Sequence, residues 1–126
     1  MISSILTDQA PTPGGHYSQA TVWNGLVFVA GQLPITKTGE KITSSIEDQA
    51  HQVLNNLKAI LSAAGSGMDK VLKTTIYIAD IELWGKVNDI YTTYFPDHKP
   101  ARAIVPVKTL HYGFLIELEA VAVAEQ

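Results

Sequence analysis

The residues that most constrain the fold lie near the C-terminus, where side chains alternate in character from Leu115 to Val123. Successive side chains of a β-strand point to opposite faces, so this alternation predicts a strand with one wholly apolar face. That face consists of Ile116, Leu118, Ala120 and Ala122. The other face carries two carboxylates, Glu117 and Glu119, which cost solvation free energy unless they are exposed, paired or functional.

The single arginine of the chain, Arg102, stands at the start of another predicted strand, Ala103 to Val107. Two interpretations stay open for it. Arg102 either forms a surface ion pair with Glu117 or Glu119, worth about 0–1 kcal/mol, or binds a substrate carboxylate through two parallel hydrogen bonds. Glu119, likewise, is either a charge at the rim of the sheet or a carboxylate that holds or deprotonates an attacking water.

Four more stretches predict β-structure. Residues Thr21 to Trp23 and Leu26 to Ala30 flank Asn24-Gly25, the pair that best supplies the two positive φ angles of a type I′ turn. They therefore predict a β-hairpin. Residues Val71 to Ile78 are rich in β-branched side chains, as strands favour, and Ile2 to Leu6 predicts a short edge strand.

Two segments have the period of amphipathic helices. The first begins at a capping box formed by Ser44 and Glu47, and Gly65 ends it. The second begins with Asp80 as its N-cap and stops at Pro96. Two helices and five or six strands predict an α+β fold, a single mixed sheet with both helices on one face. The other face is too apolar to meet water, which favours self-association.

Composition limits the function that this chain can have. Its 126 residues are expected to form one domain, residues 1–126, and a net charge of −3 offers no basic surface for nucleic acid. The absence of cysteine excludes disulfides, thiolate metal sites and a cysteine nucleophile. The four histidines lack metal-ligand spacing, so no metal site is expected. Without a signal peptide or a membrane-spanning stretch, we expect a cytoplasmic protein.

Short motifs along most of the chain resemble one family, the Rid proteins (reactive intermediate deaminases of the RidA/YjgF type, also known as L-PSP endoribonucleases). The matching segments are Gly15-His16-Tyr17-Ser18-Gln19, Gly31-Gln32-Leu33-Pro34, Lys73-Thr74-Thr75-Ile76-Tyr77-Ile78, Pro100-Ala101-Arg102-Ala103 and Ile116-Glu117-Leu118-Glu119-Ala120. The Pro-Ala-Arg and Ile-Glu-Leu-Glu-Ala segments, in this order, are the specific ones.

The resemblance implies a chorismate-mutase-like fold that assembles as a homotrimer, with three clefts between subunits. It also implies hydrolysis of reactive 2-imino acids, such as 2-iminopropanoate and 2-iminobutanoate with their enamine tautomers, to 2-keto acids and ammonia. No cofactor is implied. Because an iminium carbon is already electrophilic, the protein need only anchor the substrate, place a water and accept a proton.

Matched motif by motif, the resemblance assigns Arg102 to the substrate carboxylate and Glu119 to the attacking water. Tyr17, which on pattern alone is either a packed loop aromatic or a substrate donor, would line the cleft from the neighbouring subunit. Backbone groups near Ile104 would contact the imine nitrogen or the carboxylate, and Gly31 would shape the wall.

Two positions depart from the deaminase pattern. Ala30 stands where deaminase members usually have serine, so a hydroxyl is missing, and a change in the rate or in the preferred substrate is the expectation that follows. Ile104 stands where they commonly have cysteine, but a backbone contact there does not depend on the side chain. A ligand-binding or regulatory role in the same cleft is therefore an alternative. Endoribonuclease activity is a weaker one, because the chain lacks a basic groove studded with aromatic residues.

Overall fold

Six strands of the chain form one mixed sheet, as the sequence predicts. In the computed structural model, which describes residues 1–124, the strands are β1 (Ser3–Ile5), β2 (Ala20–Trp23), β3 (Leu26–Gln32), β4 (Val71–Ile78), β5 (Ala101–Pro106) and β6 (Ile116–Val123). Within these residues their order is β1-β2-β3-β6-β4-β5, with β4 and β5 parallel and the other neighbours antiparallel. The last two residues of the predicted 1–126 domain lie outside the described residues, and that range stays a prediction.

The predicted β-hairpin and edge strand are present. Asn24 and Gly25 have φ angles of 54° and 78°, so both turn residues adopt the left-handed conformation that a type I′ turn requires. The edge strand β1 is shorter than the predicted Ile2 to Leu6, and β5 begins two residues before the predicted Ala103 because it pairs with β4 from Lys73 onward.

The first helix, α1, spans Ile46–Ala63, and its N-cap corrects the predicted capping box. Ser45, not Ser44, is the cap, since its hydroxyl accepts a hydrogen bond from the Asp48 amide at 3.1 Å. The Ser44 hydroxyl instead donates to the Asp48 carboxylate at 2.8 Å. Gly65, at φ 74°, follows the end of the helix, as predicted.

The second helix, α2, spans Trp84–Tyr94 and begins later than predicted. Asp80 does act as a cap, but the element that it caps is a 3-10 turn, Ile81–Leu83, which runs into α2. The Asp80 carboxylate accepts from the Glu82 amide at 2.9 Å. Neither helix among residues 1–124 is both long and apolar enough to cross a bilayer.

Both helices cover the same face of the sheet and leave the other face open. The covered face is the core, and its strand residues include Val27, Ile76, Ile116 and Leu118, all 1% exposed or less. On the open face, strand pairing sets Phe28 beside Val121 and Leu26 beside both Trp23 and Val123. These five residues are called the apolar patch; Trp23, Phe28 and Val123 are 51%, 44% and 38% exposed. The predicted apolar open face is therefore present.

Candidate active site

The two carboxylates of β6 lie on the open face of the sheet, in a cleft. Tyr77 of β4 is the cross-strand partner of Glu117, and its phenol donates a hydrogen bond to Glu119 Oε1 at 2.5 Å. The cleft has a volume of about 310 Å³ and is called the acidic cleft. It is lined by Gly31, Tyr77, Val107, Thr109, Leu110, Glu117 and Glu119. A carboxylate held by a phenol in an open cleft can position water and accept its proton.

The two carboxyl groups of the acidic cleft have different surroundings. Burial raises the pKa of Glu117, the negative charge of Glu119 raises it further, and His111 opposes the rise. The hydrogen bond to Glu119, followed by burial, raises the pKa of the Tyr77 phenol, so Tyr77 stays a donor at neutral pH. Glu119 therefore accepts a hydrogen bond, while Glu117 favours its protonated form more than an ordinary glutamate does.

A β-bulge brings the backbone of β3 against these carboxylates. The β3–β6 pairing shifts register so that Ala30 and Gly31 oppose the single residue Glu119. The Ala30 amide donates to the Gln19 carbonyl outside the ladder, at 2.9 Å. A Cβ atom on Gly31 would collide with the Glu117 carboxylate. A side chain at this position would therefore displace the Glu117 carboxylate, and Gly31 does form a wall of the cleft.

Tyr17 lies in a second and larger groove, of about 470 Å³, that shares Gly31 with the acidic cleft. The residue is 51% exposed, and its phenol oxygen accepts a hydrogen bond from the Gly14 amide at 3.1 Å. His111 and Tyr112 form part of the same groove. The structure thus places Tyr17 and Glu119 in neighbouring clefts of one chain, on either side of Gly31.

Arg102 lies on the other face of the sheet, the one that the helices cover. Strand pairing aligns Thr74 of β4 with both Arg102 of β5 and Ala120 of β6, so these three residues share a face. Thr74 is fully buried, and its hydroxyl lies 2.8 Å from the phenol oxygen of Tyr91 on α2. The side chain of Arg102 therefore points toward α2.

Helix α2 holds the guanidinium of Arg102 in place. Arg102 Nη1 donates to Asn88 Oδ1 at 2.9 Å, and the guanidinium carbon lies 4.8 Å and 5.4 Å from the ring centroids of Tyr91 and Trp84. Among residues 1–124, no carboxylate forms an ion pair with Arg102. A guanidinium has five N–H donors, so most of them stay available to an anion. Ile104, also half-buried, lies on this same face opposite Ile76.

Sequence reasoning missed Asn88 and Tyr77, although a signal existed for each. Trp84, Asn88 and Tyr91 stand at i, i+4 and i+7, which places them on one side of a helix. Tyr77 follows Thr75 at the period of a strand, on the face opposite the buried core positions. Each residue hydrogen-bonds a charged side chain: Asn88 accepts from Arg102, and Tyr77 donates to Glu119.

Within one chain, the structure does not bring Arg102 and Glu119 together. Strand β4 separates β5 from β6, which sets the two strands about 10 Å apart, and the two side chains point to opposite faces. The ion pair that the sequence suggested between Arg102 and Glu117 or Glu119 is thus absent from residues 1–124. A ligand the size of an amino acid cannot contact Arg102 and Glu119 of the same chain at once.

Replacing Thr74 by valine tests how much the buried hydrogen bond between Thr74 and Tyr91, which packs against Arg102, contributes to stability. In the Thr74→Val variant, the buried Tyr91 phenol loses its partner, and we expect the free energy of unfolding to fall by about 1–3 kcal/mol in urea denaturation. The Thr74→Val/Tyr91→Phe double variant removes both partners and is expected to lose less than the sum of the single variants. Additive losses in this double-mutant cycle would show that the hydroxyl pair contributes no coupling energy.

Comparison with known proteins assigns this chain to a family. Residues 7–124 match the family model described as Endoribonuclease L-PSP. A RutC family protein of Pyrococcus horikoshii is 48% identical over 122 residues, 96% of this chain and 97% of that protein. A rat protein named 2-iminobutanoate/2-iminopropanoate deaminase is 42% identical over 120 residues, 94% of this chain and 88% of that protein. A crystal structure of a Rid-family protein from Yersinia pestis superposes with a TM-score of 0.96, at 44% identity, covering 98% of this chain and all of that chain. The chain therefore belongs to the Rid family of proteins, described also as the Endoribonuclease L-PSP family.

Proposed function

We propose that this protein hydrolyses 2-imino acids to 2-keto acids and ammonia. The observation that carries the proposal is a pair of complementary half-sites. One presents a guanidinium, that of Arg102, held by Asn88 with N–H donors to spare. The other presents a carboxylate, that of Glu119, held by Tyr77 in an open cleft. The name of the rat relative, a deaminase of 2-iminobutanoate and 2-iminopropanoate, supports this substrate class.

The two half-sites match the two ends of such a substrate. The planar guanidinium of Arg102 binds the substrate carboxylate through parallel hydrogen bonds, which also holds the neighbouring C2 iminium carbon in place. Glu119 orients a water and takes one of its protons as the water oxygen bonds to C2. The electrons of the C=N double bond move to nitrogen, and collapse of the resulting carbinolamine releases ammonia and the 2-keto acid.

This mechanism requires a second copy of the chain, and we propose a homotrimer. Since Arg102 and Glu119 of one chain face opposite sides of the sheet, a substrate that touches both must lie between copies. The apolar patch supplies a surface for such packing, because an exposed cluster of aromatic and branched side chains is costly in water. A closed ring of three chains repeats the same cleft three times.

An aspartate in the apolar patch is expected to abolish assembly. We expect the wild-type protein to have a mass near three times 13.7 kDa, and Phe28→Asp to elute as a 13.7 kDa monomer, because the charge would be buried at the interface. Light scattering coupled to size-exclusion chromatography measures both masses. The monomer is also expected to lose turnover, since no cleft is complete. A trimeric and fully active Phe28→Asp variant would rule out packing through the apolar patch.

The proposed deaminase activity is tested by generating the imine enzymatically in the presence of the protein. An amino-acid oxidase acting on alanine generates 2-iminopropanoate, and the protein is expected to accelerate release of ammonia and pyruvate above the spontaneous rate. Equal rates with and without the protein would rule out deamination of this substrate. Pyruvate binding without acceleration would instead favour the ligand-binding role.

A further inference from the structure

We infer that the groove containing Tyr17 receives the side chain of the substrate, and that Tyr112 in its wall selects 2-imino acids with a bulky aromatic side chain. This inference rests on the proposed deamination and deepens it. The groove and the acidic cleft meet at Gly31, which lines both. A substrate whose C2 carbon lies at Glu119 therefore has a path for its side chain past Gly31 into the groove.

The groove is larger than a three-carbon substrate requires. Its volume is about 470 Å³, within the range of pockets that enclose drug-sized ligands. The methyl group of 2-iminopropanoate would leave most of that volume to water. An aromatic ring displaces this water and is itself removed from solvent, and the burial of its apolar surface favours binding.

The surface of the groove suits an apolar ring. Leu33 and Ile35 are half-buried and supply aliphatic surface. The exposed rings of Tyr17, His111 and Tyr112 supply aromatic surface. Aromatic rings pair favourably in offset or edge-to-face arrangements, which adds to the gain from burial.

The charges around the groove disfavour a cationic side chain. Among residues 1–124, its lining contains no carboxylate, so an ammonium or guanidinium on the substrate would find no partner there. The one lysine or arginine in this described lining is Lys37, whose ammonium donates a hydrogen bond to Gln9 Oε1 at 3.2 Å. A neutral ring is therefore the side chain that the lining favours.

Tyr112 is a fixed part of the wall. Its φ of 58° lies in the left-handed region, which is uncommon for tyrosine and recurs at ligand-binding sites. The His111 ring stacks on it, with centroids 3.7 Å apart and an interplanar angle of 12°. The Lys41 ammonium lies 4.6 Å from its centroid, and the buried Phe114 ring meets it edge-on at 5.7 Å. These contacts order the ring before a ligand arrives, which lowers the entropic cost of binding, while 55% of the residue stays exposed.

The test compares two imines in the same protein. An amino-acid oxidase generates 2-imino-3-phenylpropanoate from phenylalanine and 2-iminopropanoate from alanine, and release of each 2-keto acid above the spontaneous rate gives kcat/KM. We expect the wild-type ratio to favour the phenyl substrate by about 10-fold or more. Tyr112→Asn removes the ring, and asparagine tolerates the left-handed backbone, so we expect this ratio to fall about 10-fold. Tyr112→Phe keeps the ring and is expected to keep the ratio.

The ratio separates this inference from a loss of folding, because a destabilised variant loses both activities alike. A wild-type ratio of one or less overturns the aromatic subsite and leaves deamination standing, and an unchanged ratio in Tyr112→Asn overturns the role of Tyr112. A higher kcat/KM for 2-iminoglutarate, generated from glutamate, would assign the groove to an acidic side chain and also overturn the inference.

Calorimetry with the product acids tests the subsite independently of turnover. If wild type hydrolyses neither imine, the proposed function fails, and the affinities of phenylpyruvate and pyruvate decide the subsite. Phenylpyruvate binding about 10-fold tighter than pyruvate supports it, and equal affinities refute it. The same two affinities decide the matter if Tyr112→Asn does not fold.

Discussion

Glu119→Gln is expected to lower kcat for 2-iminopropanoate by about 10²–10⁴-fold, the usual contribution of a general base. Glutamine keeps the size of the side chain and an oxygen that can accept the Tyr77 phenol, but it cannot take a proton from water. KM is expected to change by less than a few-fold, because the anchor for the substrate carboxylate is elsewhere. Initial rates of ammonia release over a range of imine concentrations measure both constants.

Two controls make the Glu119 result specific. Glu82→Gln removes a carboxyl group at an exposed position and is expected to retain wild-type rates. Pyruvate affinity of Glu119→Gln, measured by calorimetry, reports whether the cleft stays intact. A Glu119→Gln variant with wild-type kcat would remove Glu119 from the mechanism, whatever its affinity for pyruvate.

Arg102→Ala is expected to lower kcat/KM by about 30-fold to 5,000-fold, because truncating one partner of a hydrogen-bonded charge pair costs about 2–5 kcal/mol. Arg102→Lys keeps the charge but loses the planar fork, so we expect it to recover only part of the rate. Steady-state kinetics of the three proteins give the comparison. If Arg102→Ala and wild type have the same kcat/KM, the guanidinium does not bind the substrate.

Mixing the two inactive variants tests whether the cleft is shared between copies. When Arg102→Ala and Glu119→Gln are unfolded together and refolded, some clefts receive an intact Arg102 from one copy and an intact Glu119 from its neighbour. Random assembly of a closed ring restores about a quarter of wild-type activity. Each variant refolded alone is expected to stay inactive. Mixed samples as inactive as the separate variants would show that both groups come from the same chain.

The local sequence determined the strands and helices and much of the half-site that contains Glu119. The alternation in β6 placed Glu117 and Glu119 on one face, and the structure keeps them there, because side-chain direction within a strand has a strict period of two. The Asn24-Gly25 turn followed in the same way from the conformational freedom of its two residues. The start of α1 did not follow from the pattern alone: Ser44 and Ser45 are both good N-cap residues, and in the structure it is Ser45 whose hydroxyl accepts from the Asp48 amide.

Only the tertiary structure decided which face each functional side chain occupies. A pattern read along one strand says nothing about its alignment with the next strand, and that alignment turned Arg102 toward α2 and away from Glu119. The bulge that sets Ala30 and Gly31 against Glu119 also depends on pairing between distant segments. The residue types and their order are thus properties of the sequence. Their division into two half-sites on opposite faces comes from long-range strand register, which no local pattern contains.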